Sequence, residues 1–181
     1  MKLSTKDMTE TAVMAAVLCI LGPLSVPIGP VPLSLAPLAI LMAAYILGTF
    51  KGTAACVLYL VLGAIGIPVF AGFSGGFGDI AGPTGGYLIG YIFLALIAGW
   101  FISRFYDIIW VQFLGMCLGM AVLYAFGTAW LAHVAGMTFK EALAAGVLPF
   151  IIGDLLKIIC SIFLGRAINK RLEAGGLVTR R

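Results

Sequence analysis

Charged residues are scarce in this chain of 181 residues. Asp, Glu, Lys and Arg together make up 10% of it, whereas soluble proteins use about 25%. Hydrophobic residues reach 62%, above the usual share of about 45–50%. The charged residues are too few to cover the surface of a soluble globular protein with polar groups. The sequence therefore predicts an integral membrane protein. At about 20 apolar residues per crossing, this length leaves no room for a soluble catalytic domain.

Sequence motifs of common enzyme and metal sites are also absent. The chain has no H-E-x-x-H, no G-x-S-x-G and no G-x-x-x-x-G-K-[ST]. It therefore does not bind ATP through a Walker loop, and any uphill transport would draw on an ion gradient or another subunit. The single His133 has no second ligand nearby. The carboxylates are dispersed along the chain, so we expect no metal, no cofactor and no membrane enzyme: Asp79, Asp107, Glu141 and Asp154.

Long stretches without charge predict an all-α membrane domain of six transmembrane helices spanning residues 1–181. The predicted segments lie near residues 8–24, 33–48, 53–70, 86–104, 108–134 and 143–166. Basic residues outside these segments fall almost entirely on one face, with Lys140 alone on the other. We therefore expect both termini in the cytoplasm. The basic C-terminus is typical of a membrane-flanking tail rather than of nucleic-acid binding.

Two of the predicted outer connections have unusual compositions. Residues 23–37 contain five prolines, which cannot continue a helix, so we expect a broken or irregular connection there. Residues 71–87, AGFSGGFGDIAGPTGGY, contain seven glycines. Irregular backbone near membrane depth is tolerated where protein or a watery cavity satisfies its polar groups. This segment is either a lid or pocket wall, or a flexible external loop.

Asp154 and Lys157 are the two charges that lie deep inside a predicted span and not near its end. A charged side chain at the bilayer centre costs roughly 2.5 to 3.5 kcal/mol on insertion scales. Three residues apart on a helix, the two side chains share one face and can bridge each other. One interpretation is an ion pair that only fixes helix packing. The other is a binding site whose ligand offsets the cost.

Ala12 and Ala16 belong to a strip of small residues at helical spacing on the first predicted span. Small residues allow another helix to approach closely. The strip indicates either internal packing or docking on a partner subunit.

Three stretches of sequence resemble the biotin-specific S components of energy-coupling-factor transporters, the BioY family. They are Gly82–Tyr87 (GPTGGY) with Tyr91 one turn later, residues 149–157 (PFIIGDLLK), and residues 58–72 (LYLVLGAIGIPVFAG). The resemblance implies a six-helix protein of a prokaryotic plasma membrane that captures biotin from outside. It also implies partners, a transmembrane coupling subunit with two ABC ATPases, and docking on that subunit through Ala12 and Ala16. An S component for a different vitamin is the alternative.

The chemistry of biotin suggests roles for individual side chains. Asp154 suits the two ureido N–H donors, while Lys157 can donate to the ureido oxygen or pair with the carboxylate. Tyr87 and Tyr91, at i and i+4, either contact the ligand or belong to an interfacial aromatic belt. Asp79 either assists ureido binding or is simply solvated. The resemblance adds Gly85 and Gly86 to the expected substrate-binding set.

Overall fold

The fold is mostly helical, as the long charge-free stretches predict. A computed structural model describes residues 4–28 and 30–175. Its elements in chain order are α1 (Thr5–Leu21), β1 (Ser25–Ile28), β2 (Val31–Ser34), α2 (Ala36–Ala64), α3 (Phe77–Ala81), α4 (Gly85–Arg104), α5 (Ile109–Ala135), α6 (Phe139–Gly146) and α7 (Ile151–Ala174).

The proline-rich connection is an ordered β-hairpin, so the all-α prediction needs correction. Strands β1 and β2 pair antiparallel, with Ser25 opposite Ser34 and Pro27 opposite Pro32. Proline cannot donate to a strand ladder, but both strands of a two-stranded hairpin are edge strands whose outer side needs no partner. The predicted segment 33–48 therefore begins in β2, and its helix starts only at Ala36.

Helix α2 reverses direction in its middle. Gly48 has a φ of 76°, which breaks the helical conformation between residues 36–47 and 49–64. A β carbon on Gly52 would lie 3.0 Å from the carbonyl oxygen of Ala43. These residues are nine apart, or about 13 Å along a straight helix, so the two arms fold back on each other. The predicted segment 53–70 extends past its helix, which ends at Ala64.

The helix that carries the charge pair is also interrupted. The predicted segment 143–166 contains the end of α6 at Gly146, a break, and the start of α7 at Ile151, and the two helices are inclined by 52°. Asp154 therefore lies in the first turn of α7 and not deep inside one continuous helix. A carboxylate is favoured in a first turn because the unpaired N–H groups there carry partial positive charge.

Length and composition alone identify fewer membrane crossings than the six predicted. Among the described residues, α2, α4 and α5 are each long and apolar enough to cross a membrane, and the bent pair of α6 and α7 would make a fourth. Helix α1 has 17 residues, fewer than the roughly 20 that a typical crossing needs.

A charge cluster fastens the start of α1 to the reversal in α2. The Lys51 ammonium donates to Asp7 Oδ1 at 3.0 Å and to Glu10 Oε2 at 2.6 Å. Hydrogen bonds from Lys51 and then from Ser4 lower the pKa of Asp7 to about 2. The Asp7 carboxylate therefore stays charged in neutral solution, and this end of the bundle remains tied together.

We expect Gly52→Val to destabilise the fold. The new side chain would push the two arms of α2 apart, because its β carbon meets backbone of Ala43 and Ala44 at 3.0–3.1 Å. Overpacking of this kind costs typically 1–3 kcal/mol. Thermal unfolding in detergent measures the loss, with Gly78→Ala as the control because a β carbon there meets nothing within 4 Å. Equal unfolding temperatures for the two variants would contradict the close packing of the arms.

Candidate functional site

Asp154 and Lys157 form a buried ion pair that joins two elements of the fold. The Lys157 ammonium donates to Asp154 Oδ1 at 2.7 Å and to the backbone oxygen of Ser34 at 2.6 Å. The two residues are 6% and 8% exposed. Because Ser34 ends strand β2, this one ammonium connects α7 to the β-hairpin.

The hydroxyl of Tyr124 completes the arrangement from α5 by donating a hydrogen bond to Asp154 Oδ2. An ionised carboxylate has about four lone-pair sites and an ammonium has three donors. Asp154 therefore keeps acceptor capacity, and Lys157 keeps one N–H, for a further partner. The pair can offer an acceptor and a donor side by side to a polar group of a ligand.

This pair lines a cavity with about 340 Å³ of empty space, part of which is open solvent. Its walls come from the hairpin, the start of α2, α4, α5, the end of α6, α7 and the segment that joins α6 to α7. Its lining residues are Val31, Pro32, Leu33, Ser34, Pro37, Tyr87, Tyr91, Leu123, Tyr124, Gly146, Phe150, Asp154 and Lys157. Apolar walls with a few convergent polar groups are typical of small-molecule sites.

A second cavity adjoins the first. It contains about 700 Å³ of empty space, part of which opens to solvent, and it shares Val31, Pro32, Ser34, Tyr87 and Tyr91 with the first cavity. The glycine-rich segment supplies much of its wall, and Trp130 holds that segment against α5 by donating to the Gly82 carbonyl at 2.9 Å.

Tyr87 and Tyr91 line both cavities. Their rings are buried, at 6% and 8% exposure, which is unlike the lipid-facing rings of an interfacial aromatic belt. The Tyr87 hydroxyl donates to the Gly146 carbonyl at 3.0 Å. This bond fixes the Tyr87 ring at the end of α6, between the two cavities.

The other expected site residues take different places. Asp79 lines the second cavity and does not line the first. Gly85 and Gly86 line neither cavity; a β carbon on Gly86 would lie 2.7 Å from the Phe126 carbonyl oxygen, so this glycine allows α4 to approach α5. Ala12 and Ala16 are exposed on α1, whose opposite face buries Met14, Ala15 and Leu18.

Sequence reasoning missed two members of the site. Tyr124 lies in an otherwise apolar stretch of α5. Its hydroxyl was the one feature that could have marked it as a binding residue. The Ser34 contact uses a backbone oxygen, which every residue possesses, so no sequence pattern marks it. The sequence did reveal the charge pair, because charged residues are rare in apolar segments, where burying them is costly.

The fold and the cavities define the class: a helical membrane protein with an internal site for a small molecule. The sequence profile of the BioY family matches residues 1–174. A probable biotin transporter of Pyrococcus horikoshii is 37% identical over 92% of this chain and 98% of its own length. The biotin transporter of Rhizobium etli is 39% identical over 92% and 94% of the two chains.

A solved structure agrees with the sequence relatives. The crystal structure of the S component for biotin from an ECF-type ABC transporter superposes with a TM-score of 0.84 at 32% identity, covering 91% of each chain. The chain belongs to the BioY family.

We expect Lys157→Met to destabilise the unliganded protein more than the double variant Asp154→Asn, Lys157→Met does. The single change leaves the Asp154 carboxylate buried without its cation, and breaking a buried pair in this way costs about 3–5 kcal/mol. The double variant leaves no unpaired charge. Thermal unfolding without ligand measures the difference. If the double variant is no more stable than Lys157→Met, the unpaired Asp154 carboxylate carries no such cost and the prediction is wrong.

Proposed function

We propose that this chain is the biotin-binding subunit of an ECF transporter, a component of biotin uptake and not an enzyme. Its membership in the BioY family and its likeness to a biotin S component support this proposal. The observation that carries it is the buried Asp154–Lys157 pair, which lines a cavity with otherwise mostly apolar walls and keeps free hydrogen-bonding capacity.

The ureido ring of biotin complements this pair. It carries two N–H donors beside one strong carbonyl acceptor, so Asp154 would accept from a ureido N–H while Lys157 donates to the ureido oxygen. Lys157 Nζ lies 2.7 Å from Asp154 Oδ1, so the two groups would contact neighbouring atoms of a ligand. The ligand carboxylate is a poorer partner for Lys157, because it lies at the far end of the tail from the ureido ring that Asp154 binds. Apolar neighbours such as Leu33 and Phe150 suit the sulfur-containing ring.

Six membrane crossings follow if α1, each arm of α2, α4 and α5 cross once and the bent pair α6 and α7 crosses together. Contacts between the ends of the helices support this arrangement. Asp7 of α1 meets Lys51 beside the α2 reversal, and Arg166 of α7 donates to the Tyr106 carbonyl in the turn between α4 and α5. These contacts collect basic residues at the end away from the cavities. The positive-inside rule then places that end and both termini in the cytoplasm, with the cavities towards the outside of the plasma membrane.

The exposed strip on α1 is the proposed docking surface for a transmembrane coupling subunit. Ala12 and Ala16 face away from the protein, so the internal-packing interpretation loses its support. Small residues on a lipid-facing helix permit close contact with another helix. The coupling subunit would connect this chain to ABC ATPases, which would supply the energy that a chain without a Walker loop cannot.

Equilibrium titration tests the binding function. We expect the purified chain to bind biotin in the nanomolar range or tighter, and we expect Asp154→Asn or Lys157→Ala to weaken binding at least tenfold, about 1.4 kcal/mol. Each change removes one of the two groups that complement the ureido ring. Unfolding temperatures should be recorded for both variants, so that lost affinity is separated from lost fold.

Two results would count against these assignments. Unchanged affinity in both variants would exclude the pair as the biotin site, whereas no binding by folded wild type would exclude the function. Competition with thiamine and riboflavin distinguishes the alternative, an S component for another vitamin, because either compound would then displace biotin or bind in its place.

Docking is tested with Ala16→Leu. We expect this change to reduce co-purification of the coupling subunit at least severalfold, because a bulky side chain prevents close helix contact, and to leave biotin affinity unchanged. Ala121→Leu is the matched control, since Ala121 is exposed on another helix, α5. Equal loss of co-purification in both variants would show that the α1 strip has no special role.

A further inference from the structure

The second cavity carries an uncompensated carboxylate. Asp79 lines this cavity, and its Oδ2 atom is buried without a hydrogen-bond partner. Among the described residues, no Lys or Arg lines the same cavity. The Asp79 carboxylate therefore imposes a local negative charge on this space.

The other polar side chains of the glycine-rich wall do not offset this charge. The Ser74 hydroxyl donates to the Ala71 carbonyl at 3.1 Å, and the Thr84 hydroxyl donates to the Asp79 carbonyl at 3.3 Å. Their protons are committed, so towards the cavity both oxygens present acceptors. The hydroxyls of Tyr59 and Tyr91 at the same cavity can donate hydrogen bonds, but they are neutral and leave the charge of Asp79 in place. This net negative charge favours a cationic or neutral ligand group over an anionic one.

The tail of a bound biotin would enter this second cavity, an argument that rests on the proposed function. With the ureido ring at Asp154 and Lys157, the five-carbon tail has to leave the first cavity. The second cavity is the adjoining space, because residues such as Tyr87 and Tyr91 line both cavities. The carboxylate of free biotin would then come near Asp79, and two like charges repel each other strongly where water is partly excluded.

Lys157 does not relieve this repulsion. Two of its three N–H groups already donate, one to Asp154 and one to the Ser34 carbonyl. The remaining donor lies beside the proposed ureido position in the first cavity. The side chains of Asp154, Lys157 and Asp79 together have a formal charge of −1, and a ligand carboxylate would make it −2.

We propose that Asp79 is a specificity-determining residue that disfavours a free carboxylate at the end of the ligand tail. It selects biotin derivatives in which that carboxylate is masked as an amide, and above all amides that end in a cation. Such a subsite extends the range of ligands from the free vitamin to biotin joined through its carboxyl group to an amine.

Three ligands with the same ring system and different tail charges test this proposal. They are biotin, with an anionic tail, its primary amide, which is neutral, and its amide with 1,5-diaminopentane, which ends in an ammonium. We expect wild type to bind each amide at least threefold more tightly than biotin. We expect Asp79→Asn to tighten biotin binding at least threefold and to weaken binding of the cationic amide by a similar factor.

The matched control is Glu141→Gln. It removes one negative charge from an exposed position that lines neither cavity, and Gln preserves the hydrogen bond to Thr138 that begins α6. Asp79→Asn keeps the backbone bonds of residue 79 to Gly76 and Thr84. Equal unfolding temperatures of the variant and wild type confirm that the fold is retained.

The outcomes separate the proposal from the function on which it rests. Weaker biotin binding by Asp79→Asn would show that Asp79 helps to hold biotin, and would overturn the proposal alone. Equal affinities for all three ligands, or the same changes in Glu141→Gln, would also overturn it while leaving biotin binding intact. If wild type binds none of the three, the proposed function fails and this proposal fails with it.

Discussion

The hydrogen bonds of the Lys157 ammonium hold the site together. This one group meets the Asp154 carboxylate on its own helix and the Ser34 carbonyl at the end of the hairpin. Tyr124 then extends the connection to α5. A buried ammonium without such partners would be costly, so the charge requires the hairpin and α7 to stay together. These elements meet at the polar contact, and their apolar side chains form the walls of the cavity beside it.

Close helix packing is the second constraint on the structure. Glycine makes it possible at positions where a large aromatic ring contacts a neighbouring helix. A β carbon on Gly127 would lie 2.3 Å from the Tyr87 ring, and one on Gly146 would lie 2.1 Å from the Tyr87 hydroxyl oxygen. Tyr87 can therefore lie across α5 and reach the end of α6 only because both positions lack side chains. These two glycines therefore determine where a cavity wall lies, which is a different role from making a turn flexible.

The sequence predicted those features of the site that carry an energetic cost. Charges in an apolar helix identified Asp154 and Lys157, and the spacing of Tyr87 and Tyr91 placed both rings on one helix face. The reversal at Gly48 was also predicted, because the charge of Lys51 separated the apolar segments 33–48 and 53–70. The break at residues 147–150 escaped prediction, because it contains one proline whose effect on direction depends on packing.

The end of the bundle away from the cavities is held by buried polar contacts. Tyr45 donates to Gln112 Oε1 at 2.7 Å, Gln112 donates to the Phe105 carbonyl at 3.0 Å, and Asn169 donates to the Tyr45 carbonyl at 2.7 Å. These three side chains are between 0% and 8% exposed. Opening a path through this end would leave several buried polar groups unpaired, at about 1–3 kcal/mol for each. A ligand held in the cavities would have to break these contacts in order to leave at the opposite end. Delivery to the other side of a membrane therefore requires a change in the position of the protein as a whole, or a partner that offsets the cost.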